Sequence, residues 1–572
     1  MAQKGVNMTQ KAWVTKTQKL LHLPRDINPL WLLPALFMAF CLVAPIATIF
    51  NIAFYPEENI WPHLFRTVLG GYISDTLILI TGVGIISLSI GVTTAWLVTM
   101  YEFPGRKLAS RLLLLPLAMP TYIIAYCYVE IFDYSNVIQS TIRDVGGFSS
   151  ARDYWFFEIR SMGGAIFVLS IVLYPYVYLT SRAAFLQQDV SMLEAARMLG
   201  HSATSSFLKI ALPMARPAIF VGLTLTLMEC LNDVGAVEFF GVNTLTVGIY
   251  ATWLGRGNLG GGAQIALILL AFIFILIIAE KWARRGASYS HTTQRLMPIT
   301  PQKITGKIGL LVSFMCFMPI IFGFIIPLMQ LLSDGAQYMY VTDYVAFIGY
   351  ARNSLMLSGS AAILAVIIGL FLSYSERIFN IKLVGWIAKL ASVGYAIPGV
   401  ILGLGIFISL ISFDNFLGPI LEFIGFAGAS SQMLLSGSLF AIVFAYLVRF
   451  LAVSYGAIET GFGKIPHNYD HAAKSLGHHK ISILRKIHLP LIRPALATAL
   501  ILTFIDAMKE LPATLILRPF NFDTLATHVY EIASLEIFEE AAISALFIVI
   551  IGLIPVHMLN HMMKLPQWRS GR

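Results

Sequence analysis

The 572-residue chain predicts an all-α polytopic membrane protein built from two parallel six-helix repeats. Three observations carry that prediction. Hydrophobic residues make up 57% of the chain and charged residues only 12%, with a mean hydropathy of +0.77, whereas a soluble domain carries about 25% charged residues. Long apolar runs recur, each matching the roughly 20 helical residues that cross a hydrocarbon core. One polar segment occurs twice, beginning at Glu194 and again 277 residues on at His471.

The apolar runs place helices near residues 30–52, 73–99, 112–132, 163–185, 213–236 and 263–282, and again near 308–332, 353–375, 383–411, 432–456, 490–513 and 541–562. The third and ninth runs contain Pro116, Pro120 and Pro398, and proline inside a helix removes a backbone donor and kinks the chain. Residues 1–29 are polar and basic (Lys4, Lys11, Lys16, Lys19, Arg25) with no small-residue cleavage site following, and read as a cytoplasmic tail. With that tail inside, the inside loops hold 31 of the 39 lysines and arginines, the asymmetry that orients membrane proteins. Acidic residues gather on the other side: Asp144, Asp153, Glu158, Glu531, Glu536, Glu539 and Glu540. This distribution accounts for the net charge of +9 without a nucleic-acid partner. Cys41, Cys127, Cys230 and Cys316 all fall in apolar runs and form no C-x-x-C pair, so they read as small core residues.

The repeat sets the domain organisation. Glu194-Ala-Ala-Arg-Met-Leu-Gly200-His201 aligns with His471-Ala-Ala-Lys-Ser-Leu-Gly477-His478; Lys209-Ile-Ala-Leu-Pro213 with Lys486-Ile-His-Leu-Pro490; and Arg216-Pro217-Ala218 with Arg493-Pro494-Ala495. Upstream, Asp75-Thr76-Leu77 matches Asn353-Ser354-Leu355, Gly91 matches Gly369 and Pro120 matches Pro398. Six spans per copy is an even number, so both copies enter the bilayer in the same direction. The expected units are a tail over 1–29, a first repeat over 30–290 with its polar loop at 186–212, a linker over 291–306, and a second repeat over 307–565 with its loop at 457–489. Within the loop, Ser191 and Glu194 have capping-box spacing, Ala195 and Ala196 open a short helix, Gly200 suits a left-handed stop, and Pro213 suits the first turn of the next span.

E-A-A-x-x-x-G followed by a hydrophobic-x-L-P, found in each half between the fourth and fifth span, resembles the cytoplasmic signature of permeases of binding-protein-dependent ABC importers. The resemblance covers both halves. It implies a type I importer permease in the bacterial inner membrane, with both termini cytoplasmic. Two copies of a cytoplasmic ABC ATPase subunit would each receive one loop as a coupling helix, through Glu194, Ala195, Ala196 and Gly200 or through His471, Ala472, Ala473 and Gly477. A soluble binding protein would deliver substrate on the outer face, against the loops at 133–162, 237–262, 412–431 and 514–540. The sequence contains no G-x-x-x-x-G-K-[ST] phosphate loop, so ATP belongs to the partner subunits, this chain binds no cofactor of its own, and it is a transport subunit rather than an enzyme. One departure stands out: His471 occupies the place of Glu194. Asp470 is adjacent but points about 100° away on a helix, so the two docking sites are not equivalent.

Met508-Lys509-Glu510-Leu511-Pro512-Ala513-Thr514, Leu517-Arg518-Pro519-Phe520 and Asp523-Thr524-Leu525-Ala526, with Met228-Glu229 and Asn232-Asp233-Val234-Gly235 in the first half, are similar to the fused iron(III) importer permeases. Thiamine and aminoethylphosphonate permeases are related. Glu229 and Asp233 stand at i, i+4 on the fifth span, and Asp506 and Glu510 repeat them, with Lys509 placed to pair with Asp506. Ionisable groups inside spans usually face the bundle interior or a pathway, and a hard cation takes oxygen ligands. Two readings stay open: the four carboxylates line a cation path, or they pair with Lys509, Arg518 and helix ends to hold the halves together. His478-His479 reads as a solvated or docking pair. No metal site is assigned. The alternatives are the same importer class carrying thiamine or a phosphonate, and a secondary transporter driven by an ion gradient through the buried carboxylates.

Overall fold

The computed structural model describes residues 32–56, 58–186, 188, 198–200, 202–284, 301–340, 342–379, 394–426, 428 and 432–562. The expected tail over 1–29, the motif residues Ser191, Glu194, Ala195 and Ala196, most of the linker and residues 383–393 of the ninth run lie outside them. The first half contributes α1 (Leu32–Phe54), α2 (Leu69–Met100), α3 (Thr121–Ile131), α4 (Met162–Leu186), α5 (Leu212–Asn232), the short α6 (Gly235–Phe239) and α7 (Leu245–Tyr250), and α8 (Leu259–Arg284). The second half contributes α9 (Gly306–Tyr338), α10 (Tyr344–Phe379), α11 (Gly399–Ile424), α12 (Leu439–Gly463), α13 (Asn468–Ser475), α14 (Leu489–Met508), the short α15 (Pro512–Leu517) and α16 (Leu525–Ser534), and α17 (Phe538–Met562). Eleven helices among the described residues are long and apolar enough to cross a membrane, and a bent pair, Arg106–Ala118 with α3, makes a twelfth crossing if taken as one span.

These segments are helices because a backbone in lipid must satisfy its own hydrogen bonds. Their outer faces are apolar and exposed, as at Phe40, Ile278, Phe314 and Ile348. Between helices the residues are small or polar: Ser87 Oγ donates to the Ser170 carbonyl at 3.3 Å and Thr226 Oγ1 to the Leu173 carbonyl at 3.3 Å. Such residues let membrane helices approach closely.

The two halves repeat one packing scheme. In the first, α4 packs on both α2 and α5; in the second, α12 packs on both α10 and α14. The first helix of each half leans on the other half. Thus α1 lies against α11 as well as α8, and α9 lies against α3 as well as α17. On the side of the repeated loops, β1 (Tyr101–Glu102) pairs in parallel with β2 (Gln302–Lys303), and Ser313 Oγ donates to the Pro104 carbonyl at 2.7 Å, pinning the entry to the second half onto the first.

The third run is more than kinked. Its two pieces diverge by 94° between Ala118 and Thr121, with Pro120 at the break, and Pro398 likewise stands immediately before α11. Pro213 stands in the first turn of α5, as expected, but no break precedes that turn. A continuous helix runs over 204–232, and a π turn at Phe207–Ala211 leads into Leu212 and Pro213. The second half repeats this with a π turn at Leu484–His488 before Pro490. The wider turn accommodates a ring that would clash with the carbonyl four residues back.

Candidate functional site

The fifth span of each half ends early. Asp233 follows α5 with ψ 122°, outside helical geometry, and Glu510 lies beyond Lys509, the residue that ends α14. The expected i, i+4 helical face is therefore broken in both halves between the two carboxylates. Each break starts a short helix, and the second carboxylate caps it. Asp233 Oδ1 accepts from the Ala236 N–H at 2.8 Å; Glu510 accepts from the Ala513 N–H at 3.2 Å and the Thr514 N–H at 3.3 Å. A carboxylate that accepts orphan N–H groups stabilises a helix start.

The bends of the two halves meet across a cavity of about 320 Å³, lined by Glu229, Asn232, Asp233, Asp506, Lys509 and Glu510 together with Arg449, Tyr122, Tyr176 and Tyr395. Its wall is stitched across the halves. The Tyr395 hydroxyl donates to Glu229 Oε1 at 3.1 Å, the Gly399 N–H donates to Asn232 Oδ1 at 2.7 Å, and Arg449 Nη1 donates to Asn232 Oδ1 at 3.1 Å. Arg449 also pairs with Glu510 at 3.0 Å, both side chains being buried. Lys509 Nζ donates to the Leu117 carbonyl of the first half at 2.7 Å, and its charge also attracts that of Asp506, the neighbour its spacing predicts. Arg518 pairs with Asp523 and Glu531, away from the four carboxylates.

The structure thus divides the four carboxylates. Asp233 and Glu510 are buried caps, 8% and 4% exposed, whereas Glu229 and Asp506 are half-buried on the cavity wall. Four carboxylates against Arg449 and Lys509 leave a formal balance of two negative charges around the space. Among the described residues no three His, Cys, Asp or Glu side chains are grouped so as to hold a metal ion. The arrangement can attract and orient a cation without caging it, and weak multiple contacts are what passage requires.

The repeated loop is displayed on the basic side. Gly200 and Gly477 both take left-handed backbone, φ 83° and 79°, as helix stops do. Around α13 the side chains divide: His471, Ala472 and Gly477 are exposed, while Asp470 and Ala473 turn inward. Met198, Leu199 and Gly200 are exposed in the first loop. Outside the membrane spans, burial works against ionisation of Asp470, and hydrogen bonds from His488 and Arg377 outweigh it, holding its carboxyl below the ordinary value.

Sequence reasoning missed Arg449, Asn232 and the three tyrosines. Arg449 falls within the expected run over 432–456 and is among the basic residues counted inside, and it sits buried in α12. The signal was present: an arginine inside a run that is otherwise apolar up to Glu459. Tyrosines are common in membrane helices, and nothing in their spacing marks these three.

Two six-span halves in parallel, a shared polar cavity between them and a displayed loop on each define a membrane permease. The chain belongs to the family of binding-protein-dependent transport system inner membrane components, whose model matches residues 87–289 and again residues 365–564. It is therefore the permease of an ABC importer, which sets aside the secondary transporter. A Fe(3+)-transport system permease protein of Haemophilus influenzae is 25% identical over 501 residues, covering 87% of this chain and 91% of that protein. A ferric transport system permease protein of Actinobacillus pleuropneumoniae is 22% identical over 508 residues, 84% of this chain and 70% of that protein. The molybdenum transport system permease protein of Escherichia coli is 28% identical over 205 residues, 35% of this chain and 86% of its own length.

Proposed function

We propose that this permease carries ferric iron across the bacterial inner membrane, received from a binding protein on the acidic side and moved by alternating access of the cavity. Glu229 and Asp506 touch the cargo in passing, while Asp233 and Glu510 hold the bends. The observation that carries the reading is the formally negative cavity at the joint of the two bends, since a hard cation takes oxygen donors. Chain architecture supports it: the ferric relatives match across both halves, whereas the molybdenum relative matches about one half's length. Two ATPase subunits dock on the basic side, one at Gly200 and the exposed residues before it, the other at His471, Ala472 and Gly477. This chain binds no ATP, and both termini lie on that basic side.

The test is uptake into vesicles holding the permease and its ATPase, with binding protein inside or outside. The expected result is ATP-dependent accumulation of labelled ferric iron, unaffected by excess thiamine or 2-aminoethylphosphonate. Glu229→Gln with Asp506→Asn should lower it about tenfold without loss of assembled complex. Uptake of either organic substrate with no iron uptake would overturn the reading.

A further inference from the structure

The second repeated loop is tied to the membrane body by a buried ionic network. Arg377, near the end of α10, donates Nε to Asp470 Oδ2 at 2.9 Å, Nη1 to the Phe462 carbonyl at 2.7 Å and Nη2 to the Ile465 carbonyl at 3.0 Å. The other Asp470 oxygen meets His488 Nε2 at 2.6 Å. The three side chains are 6%, 7% and 0% exposed. His488 Nδ1 is buried and without a partner, so the neutral ring carrying its proton on Nε2 fits the site, donating to Asp470. Of the other titratable groups here, His467 Nδ1 stands 3.7 Å from Asp470 but is mostly exposed, and the Tyr374 hydroxyl donates to the Lys480 carbonyl.

The network joins three elements: the basic-side end of α10, the loop helix α13 and the π turn leading into α14. The matching positions of the first half are Thr99, Leu193 and Ala211. Thr99 Oγ1 bonds within its own helix to the Ala95 carbonyl at 2.7 Å, and Ala211 is fully buried. No charge is available there at any of the three positions. Asp470 also sits one position before His471, so it faces the body while His471 faces out. The anchor and the displayed face are separate.

We propose that Arg377, Asp470 and His488 are positioning residues that make the second loop a rigid link between its docked ATPase and the membrane helices of its own half, through charges that the first half lacks at the matching positions, where Gln188 Nε2 donates instead to the Ala211 carbonyl at 2.7 Å. This rests on the docking reading above. Removing one partner of a buried ion pair leaves an uncompensated charge and frees the elements it joined. Asp470→Asn therefore loosens α13 while leaving the outward face, and with it docking, in place.

The test uses the whole complex in proteoliposomes, measuring co-purified ATPase, unstimulated hydrolysis, stimulation of hydrolysis by loaded binding protein, and uptake. For Asp470→Asn we expect retained ATPase and unchanged unstimulated hydrolysis, with stimulation and uptake down about tenfold, in the usual range of a lost coupling free energy. Asp470→Glu should recover part of the loss, and Leu193→Asn should stay within about twofold. If Asp470→Asn fails to accumulate, His488→Gln carries the same expectation with a smaller fall. Full stimulation and uptake in Asp470→Asn would overturn the proposal, and so would loss of the ATPase from that variant alone, because Asp470 would then act in docking. An unaltered chain that does not retain the ATPase would overturn the docking reading instead, independently of any variant.

Discussion

At the end of α5 the bend at Asp233 is held by a helix cap; at the end of α14 the matching bend at Glu510 is held by a cap and by the buried guanidinium of Arg449. The register mate of Arg449 in the first half is Val172, and that of Lys509 is Asn232. The loops differ in the same sense: Arg377, Asp470 and His488 stand where the first half has Thr99, Leu193 and Ala211. Two copies of one backbone have kept the breaks, the π turns and the glycine stops. Most of the buried charge, Asp233 apart, lies in the second copy. The first half's Asn232 in turn receives donors from the second, from Gly399 and Arg449, so the cavity wall is a joint product of two unlike bends.

The largest effect should separate these bends. Arg449→Ala leaves Glu510 buried and unpaired and should cost about 3–5 kcal/mol in stability. Asp233→Asn keeps a good cap and should cost under about 1 kcal/mol. Thermal unfolding of the purified permease measures both, and equal losses would erase the distinction. Gly399→Ala comes next. A methyl there would run into Arg449 Nη1 and Glu510 Oε1, so about 1–3 kcal/mol of overpacking strain is expected, together with a weakened contact to Asn232.

The loops give a pH comparison. The folded carboxyl of Asp470 titrates below its ordinary value, so its contribution is fully present above the unfolded value of about 3.9 and is lost as pH falls through the lower folded value. A spin label at exposed Ser475 should gain mobility on acidification through that window. A label at Met198 in the first loop, where Leu193 replaces Asp470, should not. The smallest expected difference lies in the shared part: Gly200→Ala and Gly477→Ala should each cost about 1–2 kcal/mol for left-handed backbone, with little difference between halves.

What was legible in the sequence was whatever repeats or has a period. The spans follow from apolar runs, the parallel halves from the offset between Glu194 and His471, and the left-handed stops at Gly200 and Gly477 from the rule that ends helices with glycine. That Asp470 and His471 point in different directions also followed from helical geometry; that Asp470 is the one turned inward did not. The breaks after α5 and α14 did not, because Glu229 and Asp233, like Asp506 and Glu510, stand at i, i+4 and so look like one face of a continuing helix. Arg449 lies within the apolar run over 432–456, next to the basic segment that follows it, and nothing local ties it to Glu510. The attraction between Lys509 and Asp506 follows from local spacing, whereas the hydrogen bond to Leu117 does not, because that carbonyl comes from the other half of the chain. The Arg377–Asp470–His488 network has the same character: its members lie on three elements, and only the fold brings them together.

If the cavity between the bends is the path, its carboxylate positions must open to opposite sides in turn. In a chain freed of its four cysteines, single cysteines at positions 229 and 506 can be probed with a membrane-impermeant thiol reagent applied from either side, with the ATPase nucleotide-free and with it trapped with ATP. Both positions should react from one side in the first state and from the opposite side in the second. Reaction from the same side in both states, or from neither, would contradict that role for the cavity.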